Sequence, residues 1–454
     1  MSKILLKNVA EYSIERIELS DVSIYSYVTT DNLLQNKKGK VTAEKLPPQG
    51  GNVTKFNKDD ILIANIRPYL KKIWFATHSG GSSADVLTLK VKKNFFSRFI
   101  YYVLFSENFF DYMMKGSKGT KMPRGDKNQI LNFPIPNFDY STQKAIAKVL
   151  SDLDAKIELN NKINQELERV AKTLYDYWFV QFDFPANLQD STLSGAEGYK
   201  SSGGKMVYNE ELKREIPEGW EVKTISEWIN NDKSGDWGKE TEQGNYSQKV
   251  SCVRGADLNG LNGKGELNSP TRFILEKNSH KILENHDLII EISGGSPTQS
   301  TGRLAFITEE TLERFENPLI CSNFCKAVTL KDEKYLFNFV YQWNRLYDYG
   351  VLFGWEGKTS GIKNLLFESF VTNQKEVYPK SEIVEKFYDF VKPIHAKKQK
   401  NLIENQKLTA LRDWLLPMLM NGQVTVDEAE EKLSSSIEQS RNMVAEPQAE
   451  YKKS

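Results

Sequence analysis

Cysteine is nearly absent, with only Cys252, Cys321 and Cys325 in 454 residues. An odd number this small excludes a disulfide framework and fits a reducing compartment. Histidine is as scarce, at four residues, which leaves little material for imidazole-based metal or acid–base centres. No run of roughly 18 apolar residues occurs, and no charged start leads into an apolar segment, so a cytoplasmic location away from any membrane is expected. Excess charge of either sign is also missing: 61 Lys and Arg balance 60 Asp and Glu, a net charge of +1. Bulk charge therefore argues for no partner, although the field of one cleft is independent of the total. The length exceeds one ordinary hydrophobic core, and two or three domains are expected.

Motifs of catalysis are missing as well. There is no Gly-x-x-x-x-Gly-Lys-Ser/Thr loop to cradle phosphates and no glycine-rich strand-to-helix fingerprint for a dinucleotide. Gly294-Gly295-Ser296 runs into Pro297 and reads as a loop. Asp348 with Glu356 and Lys358, or Asp332 with Glu333 and Lys334, have the residue types of a metal-dependent nuclease. In a chain that is 27% charged they read better as solvated surface. Cys321, Cys325, His280 and His286 lack zinc-knuckle spacing, and Cys321-Ser-Asn-Phe-Cys325 reads as a β-like run with buried thiols. His78 is isolated, and His395 falls beside a helix seam. No catalytic residue, metal ligand or bound cofactor is assigned.

What the sequence does contain is one long stretch without proline, from Gln143 to Phe179. Ile146, Leu153, Asn160, Leu167 and Leu174 stand seven apart, with Leu150, Ile157, Asn164, Ala171 and Trp178 as a second column. This is the seam of a coiled coil. Phe387, Ile394, Asn401, Leu408 and Leu415 repeat the first column, while Val391, Lys398, Asn405 and Arg412 give a weaker second one. Asn160 and Asn401 interrupt the apolar seam, a device that fixes register at some cost in stability. The two helices are expected to pair. If they run antiparallel, a globular domain lies at each end, about 55 Å apart at about 1.5 Å per residue.

The globular parts repeat too. Tyr27–Leu33 resembles Cys252–Leu258, Asp60–Ile63 resembles Asp287–Ile290, and Thr88-Leu89-Lys90 matches Thr329-Leu330-Lys331, in the same order. An internal duplication is the simplest reading. The expected fold is α+β, with two similar mixed α/β domains separated by two long antiparallel helices. The boundaries follow: a first domain at 1–140, a first helix at 141–182, a Gly/Ser-rich linker at 183–212, a second domain at 213–382, a second helix at 383–425, and an acidic, polar tail at 426–454 expected to be disordered. Strands are expected at Asp60–Ile66, Lys72–Ala76 and Ala84–Val91, and a helix from Phe95 to Met114.

Basic and polar loops are the remaining candidates for function. In the first domain they carry Arg67, Lys71, Lys72, Lys118, Lys121, Arg124 and Lys127, and in the second Arg254, Arg303, Lys358 and Lys363, near Asn262, Ser296, Gln299 and Ser300. Lys and Arg neutralise backbone phosphates, whereas Arg, Asn and Gln can also read base edges. Solvated surface is the plain alternative for each lysine.

Several phrases, taken together, resemble the specificity subunits of Type I restriction-modification systems. They are Asp60-Ile-Leu-Ile-Ala-Asn-Ile-Arg-Pro68, Gln143-Lys-Ala-Ile-Ala-Lys-Val-Leu-Ser-Asp-Leu-Asp154, Ile216-Pro-Glu-Gly-Trp220 and Leu411-Arg-Asp-Trp-Leu-Leu-Pro-Met-Leu-Met-Asn-Gly422. The first half lacks the Pro-x-Gly-Trp opening. The resemblance implies two target recognition domains, each reading half of a split, asymmetric double-stranded DNA site, with the helices as ruler. It further implies docking of two adenine-methyltransferase subunits and up to two motor-nuclease subunits. Those partners would use S-adenosylmethionine, ATP and Mg, while this chain would be non-catalytic. The missing phosphate loop fits this, as does the missing Asn/Asp-Pro-Pro-Tyr/Phe methyltransferase motif. A two-headed protein-binding scaffold would explain the same geometry without DNA.

Overall fold

The computed structural model describes residues 2–48, 50–186, 198–294, 296, 298–359 and 362–444. The chain divides into two units, one of Met1–Glu158 with Gln406–Ser454 and one of Leu159–Asn405. Each contains a mixed α/β domain and a portion of both long helices, Tyr140–Tyr175 and Ser381–Met420.

The first unit is built on an antiparallel four-stranded sheet in the order Ala10–Tyr12, Val86–Val91, Ile61–Ala64, Ile73–Phe75. The strand Ile61–Ala64 is apolar throughout because both its faces are buried. Ile61 and Ile63 join the aromatic core of Phe99, Tyr102, Phe109 and Phe110, and Leu62 and Ala64 join Val28, Leu33, Phe56 and Trp74 on the other side. A second four-stranded sheet follows the order Arg16–Glu18, Asn52–Phe56, Gly80–Ser82, Tyr27–Val28, with its last pair parallel. The helix expected over Phe95–Met114 is two helices, Ser97–Phe105 and Glu107–Lys115. Ser106 adopts an extended backbone between them.

The second unit repeats this plan. Its four-stranded sheet has the order Ile229–Ser234, Cys325–Leu330, Leu288–Glu291, Leu304–Phe306, and Leu288 and Ile290 face one core while Ile289 faces another. The parallel pair also recurs, as Tyr246–Val253 beside Leu319–Cys321. The likeness reaches the backbone conformation. Asp59 and His286, each just ahead of the central strand, are left-handed at φ 72° and 71°. The next residue, Asp60 or Asp287, accepts a hydrogen bond from the amide three residues earlier, at 2.7 and 2.9 Å. His286 also bonds Tyr388 and pairs with Glu333. The three cysteines are buried and free, and burial pushes the Cys321 thiol up to about 12.

The long helices are paired within both units. In the first, Ile146, Leu150 and Leu153 share a core with Leu408, Leu415 and Leu419. In the second, Asn160 donates to Glu404 and Asn405, Asn401 donates to Asn164, and Lys398 donates to Glu168, at 2.6–2.9 Å. Partners fall in number along one helix as they rise along the other, so the pairing is antiparallel. Leu167, Leu174 and Ile394 are half-buried, whereas Phe387 is fully buried among Tyr175, Trp178, Phe179 and Tyr341. The weak second column is charge-paired: Arg412 donates to Asp154 at 2.8 Å, and the same carboxylate accepts from the Tyr102 hydroxyl at 2.7 Å. His395 is buried on the same helix against Phe337, bonded to the Tyr341 hydroxyl at 3.0 Å, and burial pushes its imidazole down to about 3.

Two segments differ from expectation. The tail expected to be disordered from 426 begins as a helix, Val426–Val444. Thr425 and Glu428 form its capping box, and Ala429 and Leu433 are buried in the first unit's core. The 3–4 spacing of those apolar residues overrides the acidic composition. The linker expected at 183–212 is partly folded as well. Phe184 stacks between Tyr199 and Trp220 at 4.6 and 5.2 Å, and Met206–Asn209 pairs with Arg214–Pro217. Within that linker, 187–197 lie outside the described residues.

Candidate nucleic-acid interface

In the first unit the loop Lys115–Gly125 is fastened to the end of the central strand by main-chain bonds. The Arg67 amide donates to Pro123, the Gly125 amide donates to Asn65, and Lys118 and Arg124 exchange two bonds of 2.9 Å. Arg67 has to adopt the left-handed φ of 53° to enter the turn that follows. The loop and strand end thereby bring together Arg67, Lys118, Lys121 and Arg124, all exposed. Lys118 meets Asp126 at 3.6 Å and Arg124 meets Asp85 at 3.0 Å, but their side chains remain 85% and 60% exposed. Such surface pairs exchange readily for a phosphate. Lys71 is turned away to Glu107, and Lys72 reaches the Thr30 carbonyl, with burial lowering its ammonium pKa. Lys127 opens a short helix, is itself exposed, and its carbonyl accepts from Tyr12.

The corresponding loop of the second unit is the hairpin Glu356–Thr359 with Ile362–Leu365. It is attached in the same manner: Ser293 pairs with Asn364 as Ile66 does with Arg124, and the Leu365 amide donates to Ile292 as that of Gly125 does to Asn65. Lys358 stands on this hairpin, opposite Lys363. Arg254, Arg303 and Lys363 line one cavity of about 1280 Å³.

Here the cations are not free. The Arg303 guanidinium grips Glu291 with bonds of 2.9 and 2.6 Å, and that ion pair holds its pKa up. Arg254 holds Asp257 in two bonds, at 2.8 and 3.0 Å, and the Asn268 carbonyl in a third. Lys363 meets Glu356 at 3.0 Å. Burial opposes the charge on Glu356, but the Thr301 amide, Lys363 and Ser300 hold its pKa below the usual range. Arg303, a candidate for DNA contact, is thus already committed to a buried carboxylate. Of the polar neighbours, Asn262 donates to the Leu304 carbonyl, Ser300 is tied to Glu356, Gln299 accepts from Lys363, and Ser296 lines the cavity.

Sequence reasoning missed the exposed apolar side chains that line this cavity: Trp237, Phe324 and Ile362, at 37%, 54% and 48% exposed. An exposed aromatic in a turn leaves no periodic mark in a sequence. Among the described residues no cluster of metal-ligating side chains occurs, and no helix is long and apolar enough to cross a membrane.

Residues 4–169 match the family described as Type I restriction modification DNA specificity domain. The Type I restriction enzyme HindI specificity subunit of Haemophilus influenzae is 23% identical over 451 residues, spanning 88% of this chain and 94% of that one. The chain is thus similar to the specificity subunits of Type I restriction-modification systems. The MjaIX specificity subunit of Methanocaldococcus jannaschii is 27% identical over 343 residues, 73% of this chain and 70% of the relative. Among solved structures, the Type I restriction-modification S subunit from M. genitalium shares the fold, with a TM-score of 0.53 at 17% identity, covering 92% of this chain and 95% of that one.

Proposed function

We propose that the chain reads a split, asymmetric DNA site, with residues 1–140 and 213–382 as its two target recognition domains. The observation that carries this reading is the repeated attachment of a recognition loop. Lys115–Gly125 and the hairpin Glu356–Thr359 with Ile362–Leu365 hang from the same end of the duplicated sheet; Arg67, Lys118, Lys121 and Arg124 gather at the first, and Arg254, Arg303 and Lys363 beside the second. The paired helices act as the spacer and dock two adenine-methyltransferase subunits. Up to two motor-nuclease subunits complete the complex, and these partners supply the S-adenosylmethionine, ATP and Mg chemistry.

Co-purification with the methyltransferase encoded beside it, followed by mapping of modified adenines across a genome, tests the reading. A two-part methylated motif is expected. Specific methylation by the methyltransferase without this chain, or none with it, overturns the proposal in favour of a protein-binding scaffold. Within the first domain, Arg124, Lys118 and Lys121 are proposed to neutralise phosphates. Their joint replacement by glutamine is expected to reduce the slope of log affinity against log salt by about 2–3, at about 0.9 for each phosphate no longer neutralised. Titration at four or five salt concentrations reads that slope directly.

A further inference from the structure

Exposed apolar surface is costly, and a contiguous cluster of it on a recognition face calls for an apolar partner. In the second domain three separate segments bring exposed apolar side chains to one cavity: Trp237 from the turn after Ile229–Ser234, Phe324 from the turn between Leu319–Cys321 and Cys325–Leu330, and Ile362 from the hairpin. The described cations around them are already engaged: Arg303 is committed to Glu291, Arg254 to Asp257 and Lys363 to Glu356, while Arg272 lies over the Trp237 ring at 4.2 Å and pairs with Glu240. Glu291 and Asp257 have side chains only 2% and 1% exposed, so an incoming phosphate would have to displace a buried carboxylate and leave it without a counter-charge. The corresponding place in the first domain is the opposite: Ala64 and Lys72 stand where Glu291 and Arg303 do in the strand pairing, and the loop cations are exposed.

A duplex offers one apolar group in its major groove, the 5-methyl of thymine. We propose that the Trp237–Phe324–Ile362 cluster is a thymine-methyl reader, so that the second domain selects its half-site by apolar contact with little dependence on salt. The first domain then supplies most of the phosphate-driven affinity. This inference rests on the DNA-recognition reading above and adds to it which group is recognised and by which side chains.

The test uses the full chain complexed with its methyltransferase and duplexes carrying the mapped target, with thymines replaced one at a time by deoxyuridine. Removal of a recognised methyl is expected to weaken binding about fourfold. In Phe324→Ala or Ile362→Ala complexes that penalty should vanish at the recognised thymine and persist elsewhere, with the salt slope unchanged. Both side chains are about half exposed, so neither truncation removes core packing. Specific binding without any deoxyuridine penalty, a penalty that survives in both variants, or a variant with a reduced salt slope overturns the methyl reader and leaves DNA recognition standing. Absence of sequence-specific binding by the unsubstituted complex overturns both.

Discussion

Glu168→Gln is expected to destabilise the second unit by about 3–5 kcal/mol, the usual cost of stripping a buried charge of its partner. Lys398 is 5% exposed, and Glu168 takes its ammonium at 2.6 Å, with Lys264 at 3.5 Å beside them. Burial opposes the charge on Glu168, yet Lys398 and Lys264 hold its carboxyl down at about 2. A folded-state value below the ordinary 4.5 stabilises the unit at any pH above about 4.5, and that contribution is lost as the pH falls towards 2. Urea midpoints should therefore separate the unsubstituted chain from Glu168→Gln widely at pH 7 and much less near pH 2.5. Glu168→Leu combined with Lys398→Met should recover most of the loss, since an apolar pair of similar volume avoids the desolvation cost. A double variant as unstable as the single one would show that the pair does not act as a unit.

Phe387→Ala is the second large effect, about 3–5 kcal/mol, because truncating a fully buried ring forfeits its transfer free energy and leaves a cavity. Its ring centroid lies 5.0 Å from Phe179, 5.8 Å from Trp178 and 6.1 Å from Tyr175, residues at the end of the other long helix and in the π-helical turn Asp176–Val180 that follows it. For a unit of this size the melting temperature should drop by about 2–4 °C per kcal/mol. Phe387→Leu should lose far less than Phe387→Ala, since most of the cavity is refilled. Equal losses would place the aromatic ring, not its volume, at the origin of the effect.

The helices were legible because a seven-residue repeat survives without any knowledge of tertiary contacts. What the repeat concealed was the value of its irregular positions. Lys398 and Arg412 look like decay of the seam, because Glu168 and Asp154, which complete them, lie more than two hundred residues away and become neighbours only once the helices run antiparallel. The same holds at the recognition end. Arg303 and Lys363 look like free cations in a sequence. Their neutralisation by Glu291 and Glu356 depends on strand register, which residue type and loop position do not encode. The tail was misread for another reason: acidic composition masked the spacing of Val426, Ala429 and Leu433, which was visible all along. Duplication, by contrast, was readable from three short phrases, since buried strands and their entry turns tolerate little change.

The two proposed recognition loops are joined to their sheets through amides and carbonyls: Gly125 to Asn65 and Arg67 to Pro123 on one side, Leu365 to Ile292 on the other. Peptide groups are common to every residue except for proline's missing N–H. Rewriting the side chains at the loop tips therefore leaves the mooring intact and carries little risk to folding. Such a molecule can change the surface its loops present faster than it changes how it is built.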